Sequence, residues 1–194
     1  DGATMIATEV ASPFLAPFKL TLVVAAMAVM PYVLFQAWSF VAPGMYRQEK
    51  RFALPLLASS IVLFYCGVAF AYYVVCPMVF GFFTSVSPAG VTVMTDINHY
   101  LSFVLTMFFA FGFAFEIPVA TVLLVWAGIT TPQALTSKRP YIVVGCFAIG
   151  MVLTPPDVFS QTLLAVPMWM LFEVGVLASR WLLATKSRED TATG

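Results

Sequence analysis

Residues 100–129 read YLSFVLTMFFAFGFAFEIPVATVLLVWAGI, an apolar run broken by one charged side chain, Glu116. The run exceeds the ~18 residues that mark a membrane-crossing helix, and it is far longer than the ~9–11 alternating residues of a barrel strand. It therefore predicts a transmembrane helix. Working outward, four more apolar segments fall at about 18–41, 52–83, 141–153 and 162–184. Pro17, Pro43, Pro140, Pro155 and Pro156 fence them, as expected of a residue that suits a first helical turn but cannot continue the hydrogen-bond ladder. Composition agrees: 61% of the chain is apolar, only 9% is charged and the mean hydropathy is +0.96. A soluble domain carries about 25% charged residues, so a soluble enzyme, a disordered tail and a nucleic-acid binder with a basic face are excluded. The expected fold is all-α: a polytopic helical membrane protein, one transmembrane domain over 1–194 with five spans, the last two short.

With five spans the two ends lie on opposite sides of the bilayer. Eight of the nine basic residues fall on one side: Arg47, Lys50 and Arg51, then Lys138 and Arg139, then Arg180, Lys186 and Arg188. Lys19 faces the other side, with Asp1, Glu9, Asp96 and Asp157. The basic side is expected to be cytoplasmic, which puts the N-terminus outside and the C-terminus inside. A polar outward-facing N-terminal segment needs an earlier span to carry it across, so an upstream span is expected.

Span two is long enough for about 45 Å of helix. It must tilt, protrude or bend, and Pro77 is the candidate bend. Span four offers about 20 Å, short of a ~30 Å hydrocarbon core. A span that short thins the bilayer locally or hides among longer neighbours. No internal repeat suggests the inverted halves of a secondary transporter.

Glu116 sits near the middle of span three, where an ionisable group costs about 3 kcal/mol on insertion scales. It is expected to face other helices or water, and protonation is one way of lowering the cost. Pro118 cannot donate to the carbonyl of Ala114 one turn back, so the local backbone is polar too. The residue is either a neutral packing group or a partner or proton site, and its expense favours function. Glu173, near the middle of span five, balances evenly between the two readings. Gln36 reads as a satisfied amide at one span end. Glu49 lies among Arg47, Lys50 and Arg51 and reads, on composition alone, as a solvated salt-bridge residue worth ~0–1 kcal/mol.

Thr154 and Gln161 flank the outer turn, placed either to hydrogen-bond a neighbouring transmembrane helix or to cap their own. Asp157 is a candidate cap of the fifth helix, worth about 1 kcal/mol. Cys66, Cys76 and Cys146 fall inside apolar spans without metal-ligand spacing and read as small packing residues. His99 reads as an anchor at the outer interface. There is no phosphate loop, zincin motif or nucleophile elbow. No enzyme activity, cofactor or metal is expected.

The ordered motifs ASPF (11–14), FVAPGMY (40–46), QEKR (48–51), AFEIPVA (114–120), KRPY (138–141) and LTPPDVFSQ (153–161) closely resemble the TatC family, polytopic subunits of the twin-arginine protein translocase. The resemblance covers essentially the whole chain and is greatest to the proteobacterial branch. It implies a six-span protein of the bacterial cytoplasmic (inner) membrane, with both ends in the cytoplasm, of which this chain matches spans two to six. It implies a receptor for twin-arginine signal peptides that assembles with the single-span TatA and TatB into an oligomeric complex. That complex exports folded proteins on the protonmotive force.

The resemblance also assigns residues. Glu49 contacts the arginine pair, with Phe40 and Pro43 near the same site; the pairing is sensible because guanidinium forks match carboxylates in a way lysine cannot. The family's second acidic contact lies in the segment before the matched part. Glu116 faces the cavity and meets polar residues of partner helices. Met151, Thr154 and Gln161 form a docking place for TatB or TatA helices, and Asp157 is an outer-turn acid needed for transport. The short last spans make a thin region.

Two other classes compete. A proton-coupled small-molecule transporter would use Glu116; against it stand the missing repeat and the lack of a basic or broken-helix substrate site. A passive membrane scaffold would hold partner helices without reading signal peptides.

Overall fold

Where lipid replaces water a backbone must satisfy its own hydrogen bonds, and long apolar runs do so as helices. The computed structural model describes residues 12–41, 50–86, 96–154 and 158–192. In chain order the helices are α1 (Ser12–Val41), α2 (Lys50–Phe70), α3 (Cys76–Val86), α4 (Ile97–Ala114), α5 (Ile117–Trp126), α6 (Pro132–Ser137), α7 (Arg139–Leu153) and α8 (Val158–Ala192), with a π-helical turn, Ala71–Val75, joining α2 to α3. Four stretches are long and apolar enough to cross a membrane: Phe14–Ser39, Pro55–Ser85, Ile97–Trp126 and Val158–Leu182. The shorter apolar α7 is the fifth. The protein is an all-α polytopic membrane protein, with α7 the short crossing.

Three expectations shift. Span two is not one regular α-helix, because a π-helical turn, Ala71–Val75, interrupts it just before Pro77. The Pro77 ring clashes with the carbonyl one turn earlier, at Tyr73, and the chain absorbs this by widening that turn, so that the Cys76 N–H reaches back to the Ala71 carbonyl. Span three is two helices, since α4 ends at Ala114 and α5 starts at Ile117. Span five belongs to a 35-residue helix that begins at Val158 and runs on into the polar tail. Its apolar part, 25 residues, is shorter than those of spans two and three, at 31 and 30 residues.

The core forms where α2 packs on α4, with α1 lying across both and α5 and α7 both seated on α8. Phe64, Met107, Phe111, Val79 and Leu164 are fully buried at these junctions. In lipid such contacts act through dispersion and close fit, because lipid tails are as apolar as the side chains they replace. Hence the glycines: a Cβ on Gly67 would run into the carbonyl of Phe111, and one on Gly112 would stand 2.6 Å from the Phe64 ring. Each glycine receives the other helix, which fixes the register of α2 against α4.

Polar clasps hold α1. At one end Lys19 Nζ donates to Asn98 Oδ1 at 3.0 Å and to Ser102 Oγ at 3.2 Å on α4. Further along, Pro31 has no N–H to offer the carbonyl of Met27, and the Tyr65 hydroxyl of α2 donates to that carbonyl at 3.0 Å. Gln36 Nε2 donates to the Tyr32 hydroxyl at 2.7 Å, the satisfied amide expected. His99 is exposed in the first turn of α4, which Asp96 caps by accepting from the Asn98 and His99 N–H groups. Of the cysteines, Cys76 and Cys146 are buried packing residues, but Cys66 is exposed, because α2 turns that face away from α4.

Candidate functional site

Glu116 occupies the break between α4 and α5. Pro118 is the cause: it leaves Ala114 without its N–H donor and is itself well suited to the start of a new helix. The chain closes the break with a tight turn, Glu116 N–H donating to the Phe113 carbonyl at 3.0 Å, and resumes with Ala120 N–H donating to the Glu116 carbonyl at 2.8 Å. The Glu116 side chain is turned toward α2, where the Ser60 hydroxyl donates to its Oε2. Ser60 is 1% exposed. The other carboxyl oxygen, Oε1, is buried and has no hydrogen-bond partner.

Ser60 stands about 13 Å of helix beyond Arg51, and Glu116, inside the Ile97–Trp126 stretch, is level with it. Glu173 lies in the same layer. Gly175 of α8 meets Pro118 and Thr121 of α5 so closely that a Cβ there would stand 2.8 Å from Pro118 Cα. Ala165 and Met168, earlier on α8, cluster with Ala114 at the end of α4 and with Ile117 at the start of α5, so α5 and α8 run in parallel. Each glutamate precedes its contact residue by half a turn.

Arg139, at the first residue of α7, donates to Glu173 Oε2 at 2.6 Å. Because α7 is only about 22 Å long, its basic end reaches no further than this layer. Glu173 is thus an ion-paired residue at the end of the short helix rather than a carboxylate adrift at mid-span.

The outer polar residues form a separate group, about 18 Å further along α8. Gln161 Nε2 donates across to the Phe147 carbonyl of α7 at 2.8 Å. Thr154 is buried and gives its hydroxyl to the Gly150 carbonyl at 2.8 Å. Gly150 passes close to Gln161, its would-be Cβ 3.2 Å from the Gln161 carbonyl oxygen. Met151 is 58% exposed and points away from the bundle. Gln161 thus ties α7 to α8, Thr154 caps its own helix, and Met151 supplies the free surface. Pro43, Glu49, Asp157 and the Phe40 side chain lie outside the described residues.

Sequence reasoning missed Ser60 and the Arg139–Glu173 pairing. The signal for Ser60 was present as Ser59-Ser60, a polar pair inside an apolar run, but nothing in it says which hydroxyl faces another helix. Among the described residues no group of three or more His, Cys, Asp or Glu side chains is arranged to hold a metal ion.

Residues 1–167 match the family profile of the Sec-independent protein translocase protein (TatC). The chain belongs to the TatC family. It is 68% identical over 176 residues to the TatC protein of Azotobacter chroococcum mcd 1, covering 91% of this chain and 69% of that one. To the TatC protein of Escherichia coli K12 it is 57% identical over 191 residues, covering 98% and 74%. It also superposes on a crystal structure of the twin arginine translocase receptor TatC with a TM-score of 0.83 at 35% identity, covering 92% of this chain and 79% of that one. A second crystal structure of that receptor, in DDM, gives 0.84 at 36% identity. Membership places the chain among multi-pass inner-membrane translocase proteins rather than enzymes. The helix break at Glu116, which on its own would revive a transporter reading, is in this context part of a translocase subunit.

Proposed function

We propose that the chain is the core receptor subunit of a twin-arginine translocase, binding twin-arginine signal peptides and assembling with TatA and TatB to export folded proteins on the protonmotive force. Family membership supports the receptor role. The observation that carries the assembly role is Glu116, a carboxylate at a helix break within an apolar span, half satisfied by Ser60 and with its other oxygen buried and without a hydrogen-bond partner. A single-span helix with a hydrogen-bonding side chain at that depth completes it. Met151, with the α7–α8 tie made by Gln161 and the α7 cap made by Thr154 beside it, offers a second contact for the same class of helix. Asp157 serves transport from the outer turn. The signal peptide is read on the basic side by Glu49, with Phe40 and Pro43 beside it. In this reading the N-terminus faces outward and the C-terminus the cytoplasm, consistent with Lys19 at one end of the bundle and Arg51, Lys138 and Arg139 at the other.

The test is photocrosslinking in native membranes with the complete translocase, the probe placed beside Glu49. A twin-arginine signal peptide should crosslink and its twin-lysine counterpart should not. Glu49→Ala should reduce the crosslink about 10-fold or more, the scale of losing a charge-assisted bidentate contact. Equal crosslinking by both peptides sinks the site assignment.

A further inference from the structure

We propose that Ser60 is the positioning residue of the Glu116 site: it occupies Oε2 and so presents Oε1 to a hydrogen-bonding side chain on a docking transmembrane helix. The inference rests on the reading of Glu116 as a partner-helix site. Three observations carry it.

First, hydroxyls in membrane helices usually satisfy themselves on their own backbone, and those of this chain largely do. The Ser59 hydroxyl donates to the Leu56 carbonyl at 2.7 Å, Thr121 to Pro118 at 2.8 Å and Ser179 to Val176 at 2.8 Å. Ser60, one residue from Ser59, instead gives its proton to a carboxyl oxygen on another helix, 56 positions away.

Second, Ser60 cannot drift. The interlocked contacts of Gly67 with Phe111 and of Gly112 with Phe64 hold α2 against α4 within two turns of it. Glu116 itself sits in the turn between α4 and α5 with helical dihedrals, and Ser60 is the side chain that meets its carboxyl there.

Third, a hydroxyl has one proton and satisfies one oxygen. Oε1 remains buried without a partner, a costly state in a low-dielectric site. With Ser60 donating to Oε2, the hydrogen bond still to be made falls to the buried Oε1. The docking helix carries its polar side chain at the level of Ser60, about 13 Å of helix beyond Arg51.

The experiment uses the whole chain in lipid nanodiscs. The probe is a polyleucine single-span peptide with one glutamine placed at the level of Ser60, compared with an all-leucine peptide, and association is read by energy transfer. In parallel, the Glu116 carboxyl band is isolated by infrared spectroscopy of protein carrying carboxyl-labelled glutamate, with Glu116→Gln as the subtraction. Ser60→Ala should shift that band and weaken the glutamine peptide about 3- to 10-fold, the range interhelical hydrogen bonds supply in lipid. It should leave the all-leucine peptide unchanged. Ser60→Cys, which keeps the volume with a weaker donor, should move both readouts the same way by less, and it carries the test if the alanine variant does not fold. If Glu116→Ala abolishes the glutamine preference while the Ser60 variants alter neither band nor binding, Ser60 is not a positioning residue and the partner-helix reading stands. If Glu116→Ala leaves the preference intact, that reading falls and takes this proposal with it.

Discussion

Gly175→Ala is the substitution with the most to say about how packing supports the site. The added Cβ would stand 2.8 Å from Pro118 Cα and closer still to Thr121 Oγ1. Thr121 can rotate away only by giving up its 2.8 Å bond to the Pro118 carbonyl, and Pro118 Cα, being backbone, cannot rotate at all. The parallel helices α5 and α8 must therefore part. Overpacking of this kind costs about 1–3 kcal/mol, and the displaced helix begins next to Glu116.

Unfolding in mixed micelles of rising SDS fraction should show a stability loss in that range. Thr121→Ala in the same chain should recover only part of it, because Pro118 Cα remains in the way. The Glu116 carboxyl band should shift as well, since α5 carries Glu116 away from Ser60. The reasoning is refuted if Gly175→Ala is as stable as the parent, or if Thr121→Ala restores stability fully. The second result would mean that a side chain, not the backbone, limits the approach.

Two further outcomes follow from single contacts. Tyr65→Phe removes the donor to the Met27 carbonyl that Pro31 leaves open and should cost about 0.6–1.7 kcal/mol, the span measured for interhelical bonds in a membrane protein. Hydrogen exchange should rise in α1 and stay constant in α8; uniform exchange across both would show that the clasp contributes nothing local. Arg139→Ala should cost about 1–3 kcal/mol, because it strips the partner from a carboxylate within a span whose other oxygen is already buried without one. The charge swap Arg139→Glu with Glu173→Arg should recover that loss in an SDS titration, whereas a swap no better than Arg139→Ala alone would show that the attraction is not what matters.

The apolar runs made the membrane class, the five crossings and the short α7 legible from residue order, because no other secondary structure satisfies a backbone in lipid over such lengths. Pro118 showed that the Ala114 carbonyl would lack its donor, since a missing N–H is a local fact, but not that the span would divide into two helices there. The family could be read from its motifs, and with it the residues to watch. Helix faces could not be read. In a soluble helix an apolar stripe marks the buried side; here the lipid-facing and core-facing sides are both apolar, so neither the exposure of Cys66 nor the inward turn of Ser60 shows in the pattern.

Relative level was hidden for a related reason. Counting from the ends of an apolar run places Glu116 and Glu173 each within its own span, but which residues stand level with each other across the bundle depends on how helices slide past one another. The close passages at Gly67, Gly112 and Gly175 decide that. The sequence by itself determined what crosses the membrane and which carbonyls lose a donor to proline. Only the tertiary structure decided which hydroxyl meets the carboxylate, which tyrosine closes the carbonyl opened by Pro31, and that two glutamates far apart in the chain share one layer. These are contacts between helices, set by side-chain shape at the crossings.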